Sequence, residues 1–123
     1  MINKAIIVGN LGAKPELRST NSGSHVSSLR IATSERRKDS SGTWTDHTEW
    51  HSVVVFGKTA ENVCKFLDKG RQVYVEGRLQ TRKWEDKEGR DRWSTEIIAN
   101  NIKFLGNKSG GDSGYNSHED LPF

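Results

Sequence analysis

Short stretches in which apolar and polar side chains alternate dominate this chain, and one stretch breaks the rule. Ile2 to Gly9 is rich in isoleucine and valine and ends in Gly9-Asn10-Leu11-Gly12, the pattern of a strand running into a turn. A polar Ser/Gly-rich stretch from Ser19 to Ser24 separates it from a second strand, His25 to Thr33. There Val26, Ser28, Arg30 and Ala32 alternate with Ser27, Leu29, Ile31 and Thr33. Glu35 to Thr45 is charged, holds Ser40-Ser41-Gly42 at its middle, and reads as a loop before a third strand, His47 to Phe56. Between Thr59 and Lys69 the period changes. Ala60, Val63, Cys64 and Leu67 fall at helical spacing, and Gly70 follows where a helix cap belongs. Gln72 to Lys83 and Arg92 to Leu105 return to strand patterns, joined by the charged hairpin tip Glu85 to Asp91.

The order is three strands, a helix and a two-stranded hairpin, an all-β class with one short helix. Five strands with a helix between the third and fourth is the plan of the oligonucleotide/oligosaccharide-binding (OB) barrel, which binds through the face of strands two and three and through two loops. A small open β-sandwich with an inserted helix gives a similar string. The barrel domain is expected over residues 1–105. Residues 106–118 carry no apolar period and read as a flexible Gly/Ser-rich linker. The chain ends in Glu119-Asp120-Leu121-Pro122-Phe123, where two acids, a proline and two large apolar side chains read as a short docking motif.

Composition changes this picture in two ways. Only 32% of the residues are hydrophobic, which is little for a self-sufficient core and makes oligomerisation an asset. The net charge of +3 is unevenly spread. Up to Leu105 there are 18 Lys and Arg against 13 Asp and Glu, whereas from Gly106 onward there is one base against three acids. A basic body with an acidic tail favours a polyanionic partner. The single cysteine, Cys64, cannot form an intramolecular disulfide, and the N-terminus is too short in apolar residues for a signal peptide. A cytoplasmic protein is the expectation.

The candidate chemistry lies in the rings. Trp50 and Phe56 are six residues apart on the third strand, so both face one side, beside Ser52 and next to Lys58. Trp84 follows Arg82 and Lys83 at the entrance to the hairpin. Any one ring could be core or edge cover; together, beside cations, they form a platform on which bases stack, worth roughly 1–3 kcal/mol per base. Trp44 and Trp93 are weaker candidates. Gly57-Lys58-Thr59 imitates the end of an NTPase phosphate loop, but the required upstream glycine is Ser52 and the residues between are strand. His47 and His51, four residues apart on a strand, are separated by about 13 Å and cannot share a metal ion. Cys64 on a helical apolar stripe reads as buried filler. No metal, cofactor or catalytic constellation is expected.

Val8-Gly9-Asn10-Leu11-Gly12 with Pro15-Glu16 and Arg18, Ala32-Thr33-Ser34-Glu35, Thr48-Glu49-Trp50-His51, Phe56-Gly57-Lys58, Val75-Glu76-Gly77 and Thr81-Arg82-Lys83-Trp84 together resemble the bacterial single-stranded DNA-binding protein family. The resemblance spans residues 1–105, and the last four residues resemble that family's acidic tip. It implies an OB barrel, assembled as a homotetramer, that wraps single-stranded DNA in replication, recombination and repair and recruits partner enzymes through the tip. By position, Trp50, Phe56 and Trp84 match the stacking rings. Lys4, Arg18, Lys58, Lys69, Arg82 and Lys83 match basic positions along the DNA path, and His51 matches a subunit-interface residue. Asp120, Leu121, Pro122 and Phe123 match the docking tip. Arg37 stands where many relatives carry tryptophan, which exchanges one platform for charge or guanidinium stacking. The competing readings are a primosome-type interaction adaptor on the same barrel, whose rings contact protein, and an NTPase, which the missing loop glycine argues against.

Overall fold

Val53 and Val55 are completely buried, while Val54 between them lies on the opposite face of the same strand. That alternation, repeated from strand to strand, builds the molecule. The computed structural model describes residues 1–106, so the docking tip and all of the linker beyond Gly106 lie outside the described residues. Its elements are β1 (Ala5–Leu11), β2 (Arg18–Ser19), β3 (His25–Lys38), β4 (Trp44–Phe56), α1 (Gly57–Phe66), β5 (Gln72–Glu85) and β6 (Asp91–Leu105).

The strands lie in the order β1-β5-β6-β4-β3, and β3 returns to β1 through Asn10↔Ala32 and Leu11↔Ile31. The sheet therefore closes into a five-stranded barrel with the helix between its third and fourth strands, the expected OB plan. The two-residue β2 is an addition, laid on the start of β3 through Arg18↔Val26. All pairings are antiparallel except β4 with β6, which meet in parallel at Val53↔Ile97 and Val54↔Ile98. Leu29, Ile31, Val53, Val55, Val63, Val73, Val75 and Ile97 fill the interior. β5 turns the corner of the barrel at a bulge between Glu76 and Gly77. A β-carbon at Gly77 would collide with the Ile98 carbonyl, so only glycine lets β5 and β6 approach there.

Three expectations need correction. Glu35 to Thr45 is mostly strand. β3 continues to Lys38 and β4 begins at Trp44, paired through Lys38↔Trp44, which leaves Asp39 to Thr43 as the turn. This ribbon extends beyond the core, so its side chains show no apolar alternation to betray it. The helix starts at Gly57 and ends at Phe66, earlier than its apolar spacing implied. Gly70, with φ 91°, belongs instead to a turn clamped onto β1, where its N–H donates to the Leu11 carbonyl at 2.8 Å. Cys64 is half-buried rather than interior filler.

The two arms, β3–β4 and β5–β6, end in the same device. Asp39 Oδ1 accepts from the N–H groups of Ser41 and Thr43, each at 2.9 Å, and from the Ser41 hydroxyl at 2.8 Å. Asp86 Oδ1 accepts from the N–H groups of Glu88 and Arg90, each at 2.9 Å, while its other oxygen takes Arg92 Nε at 2.9 Å. A glycine at positive φ completes each turn, Gly42 at 87° and Gly89 at 82°. These bonds favour the ionised acid. The Asp39 carboxyl is held below its ordinary 3.8 chiefly by the Ser41 hydroxyl, and Asp86 chiefly by the Arg90 N–H.

A lowered folded pKa stabilises a turn above the unfolded value of about 3.9, and that contribution disappears as pH falls through the folded value. Hydrogen-exchange protection at Ser41, Thr43, Glu88 and Arg90 should therefore hold at about pH 5 and fall below about pH 4. Asp86→Ala should remove it at the second tip at every pH. Protection that ignores both changes would show that the tips are held by something else.

Candidate nucleic-acid interface

The outward residues of four strands form one surface. Strand alternation puts Trp50, Ser52, Val54 and Phe56 of β4 outside, with Ser28 and Arg30 of β3, Glu96 and Ile98 of β6, and Gln80, Arg82 and Trp84 of β5. Val54 and Ile98, at 8% and 9% exposure, are the apolar floor of a recess of about 290 Å³. Phe56, half exposed, stands in that recess with Arg18 and Arg82. Arg18 donates to Ser28 Oγ at 2.9 Å, and Arg82 reaches both oxygens of the largely covered Glu96 at 3.3 and 3.4 Å. Each guanidinium is thus oriented by a neighbour while its remaining N–H groups stay available.

Trp50 occupies a second recess of about 230 Å³, lined otherwise by Gly12, Ala13 and Arg30. The Arg30 guanidinium sits 5.7 Å from the ring centroid, within cation–π range. A β-carbon at position 12 would come within 2.8 Å of Trp50 Cη2, so the missing side chain of Gly12 is what lets the ring settle there. The ring remains 48% exposed. Arg30 was legible by its parity on the second strand, since it pairs with Ser52 and lies diagonal to Trp50. Gly12 carried no such signal, because its contact joins two distant parts of the chain.

Trp84 is held by an indole N–H donating to Ser94 Oγ at 2.8 Å and shares its face with Arg82. The other expected site residues fall elsewhere. Lys83 points to the reverse of the hairpin, 5.9 Å from the Trp93 ring and 3.4 Å from Asp91. Lys58, in the first turn of α1, reaches Glu61 at 3.9 Å, and Lys69 is exposed in the turn after the helix. Lys4 pairs with Glu76 at 3.0 Å, whose other oxygen takes the Tyr74 hydroxyl at 2.8 Å. Lys4, first, and then Tyr74 hold the Glu76 carboxyl below its ordinary value, and the same bond raises Tyr74. His51 bonds Thr33 through Nε2 at 2.8 Å. Trp50, Phe56, Trp84, Arg18 and Arg82 are thus brought onto one outward surface, while Lys4, Lys58, Lys69 and Lys83 line neither recess.

Among the described residues no cluster of three or more His, Cys, Asp or Glu side chains is placed to hold a metal ion, and no helix is long and apolar enough to cross a membrane.

Residues 2–105 match the model of the single-strand binding protein family. The structure also resembles that described as a Plasmodium falciparum SSB complex with ssDNA, with a TM-score of 0.79 and 33% sequence identity. The match covers 85% of this chain and 96% of that one. With exposed rings and guanidinium groups sharing one face of an OB barrel, these likenesses lead to one conclusion: the chain belongs to the single-strand binding protein family, non-enzymatic proteins that bind single-stranded DNA.

Proposed function

We propose that the outward surface of β3, β4, β5 and β6 binds single-stranded DNA with little regard to sequence. The observation that carries this reading is the exposure of Trp50, Phe56 and Trp84 on the side that also presents Arg18, Arg30 and Arg82. Every base has a π-face, so stacking is tolerant of sequence, and a duplex hides those faces. Each phosphate met by a guanidinium releases counterions, with a log–log salt slope of about −0.7 per contact on single strands. Lys58 and Lys69 extend the path for longer strands, and Lys83 joins it where a strand crosses to the reverse of the hairpin. Lys4 must exchange Glu76 for a phosphate to join them. In this reading the protein, of the bacterial type, protects exposed strands during replication, recombination and repair, in the cytoplasm and on nucleoid DNA.

Two further parts of the reading concern partners. The acidic tip, Glu119 to Phe123, recruits replication and repair proteins: its phenylalanine and carboxylates suit an apolar pocket rimmed by bases. A homotetramer is supported by the outward face of β1, where Ile6 and Val8 are 54% and 40% exposed on a strand that, among the described residues, pairs only with β5 over Ala5–Gly9. An apolar, unpaired edge of this kind calls for a neighbour. His51 contributes to a subunit contact in the same reading, through its ring or through the position of Thr33.

The double variant Trp50→Ala, Trp84→Ala loses two stacks and should weaken oligo-dT binding at least about 30-fold. Gly12→Ala should shift it in the same direction by displacing Trp50, with an unchanged circular dichroism spectrum. Unaltered titrations would sink the platform, and tryptophan fluorescence of the native chain that stays flat with oligo-dT would favour an interaction adaptor. Deleting residues 119–123 should abolish pull-down of partner enzymes and leave or slightly raise DNA affinity; a loss of DNA binding refutes the docking role. Light scattering should return four chains per particle, and Ile6→Glu should lower that mass. A monomer at micromolar concentration rules the tetramer out.

A further inference from the structure

The β3–β4 arm has two unlike faces. Cross-strand register puts Lys38 opposite Trp44, Arg36 opposite Asp46, Ser34 opposite Thr48, and Ala32 opposite Trp50, all on the side that Arg30 shares. That face carries three cations, Arg30, Arg36 and Lys38, against the single carboxylate of Asp46, which Arg36 meets at 3.5 Å. The reverse face carries one cation, Arg37, against Glu35 and Glu49, and Arg37 is engaged by Glu35 at 2.7 Å. His47 on that side is likewise turned to Glu49, at 3.2 Å. A polyanion approaching the arm is drawn to the first face and turned away from the second.

Trp44 closes the favoured face at its outer end. Its ring is 54% exposed, with the Arg36 guanidinium 5.9 Å and the Lys38 ammonium 6.0 Å from its centroid. Both distances are at the outer limit of a cation–π contact, and more than half of Trp44 stays exposed between these cations. Six residues of strand separate Trp44 from Trp50, about 20 Å along one side of the ribbon. Between them lie the Arg36–Asp46 pair and then the small side chains Ser34 and Thr48, joined by a hydroxyl bond at 3.1 Å, with Ala32 opposite Trp50.

We infer that Trp44, with Arg36 and Lys38, is an outlying stacking and phosphate site that takes up the part of a single strand running past Trp50 along the arm. The inference rests on the reading of the barrel face as the single-stranded DNA site and assigns its extension to the arm. Arg37, although next in sequence to both cations, has no part in it because it faces the other way. The site acts only on strands long enough to reach the arm.

The test compares two lengths of oligo-dT on the full chain, one near the lower end and one near the upper end of the roughly 4–16 nucleotides a single OB barrel occupies. Trp44→Ala should leave the short strand unaffected and weaken the long one roughly 5- to 140-fold, the value of one stack. Trp44→Tyr, which keeps a ring, should restore the long strand. Arg36→Gln with Lys38→Gln should flatten the salt slope for the long strand by at most about 1.4, less where Asp46 already neutralises Arg36. With Trp50, Trp84 and Trp93 changed to Phe, the emission of Trp44 alone should be quenched by the long strand only. Equal loss at both lengths, or no loss, overturns the inference. If Trp50→Ala still weakens both lengths in that event, the barrel-face reading survives; if it too has no effect, that reading falls with it.

Discussion

Two parallel pairings, Val53↔Ile97 and Val54↔Ile98, join the two antiparallel arms, and the outward surface depends on them. Each arm fixes its own internal register, β3 with β4 and β5 with β6, and would keep it without the other. The direct contact between β4 and β6 sets how the two outer faces meet, while β1, paired to both β5 and β3, closes the barrel on the other side. Side chains on a strand have a period of two, so a slip of one residue would turn every one of them over. Parallel pairing is not the stronger kind, and two steps of ladder are few. What holds the register is burial: Val53 and Ile97 both enter the core, each contributing on the order of 1.5–3 kcal/mol, and a slip would expose one of them. The same register sets Val54 beside Ile98 outside, and on that strip stand Phe56, Arg18 and Arg82.

The exposed rings are positioned by specific neighbours rather than left free on the surface. Trp50 rests over Gly12 beside Arg30, and the Trp84 indole is fixed by Ser94. Fixing a large side chain before the ligand arrives lowers the entropy lost on binding. The cations are treated differently, because most carry a carboxylate: Arg82 with Glu96, Lys83 with Asp91, Lys4 with Glu76, Lys58 with Glu61. Exposed pairs of this kind are worth about 0–1 kcal/mol, so a phosphate can displace the acid at little cost. These acids also act as resident counterions. The salt dependence of binding therefore falls below what a count of lysines and arginines implies, since fewer free ions are released.

How much of this was legible in the chain follows from what each part is made of. The barrel strands bury one face, so Leu29, Ile31, Val53 and Val55 announced them, and the same parity put Trp50 and Phe56 on one side. The arms have no buried face. Glu35 to Lys38 is strand because its backbone pairs with Trp44 to His47, which no side-chain pattern records, so this segment read as a loop. The helix read late because its first turn, Gly57 to Thr59, contributes no apolar side chain to the core. Arg30 could have been found by carrying the parity argument one strand further. Gly12 could not, since its importance is an absent atom beneath a ring from another part of the chain.

The composition of the arms follows from the absence of a core beneath them. A two-stranded ribbon without a packed face is marginal in water, and apolar pairs that would steady it would also make it adhesive. Each arm instead carries one cross-strand hydroxyl pair, Ser34 with Thr48 and Thr81 with Thr95, both at 3.1 Å, and one aspartate-centred turn. Hydroxyl pairs steady a ribbon without adding charge, so the cations on its faces remain uncompensated by the stabilising groups themselves. The aspartates are the exception, and their charge is spent on backbone N–H groups inside the tips. Each tip is thereby steadied from within, while the favoured flank of the β3–β4 arm keeps Arg36 and Lys38. A strand held at the barrel floor therefore meets attraction along that flank, out to the cations beside Trp44.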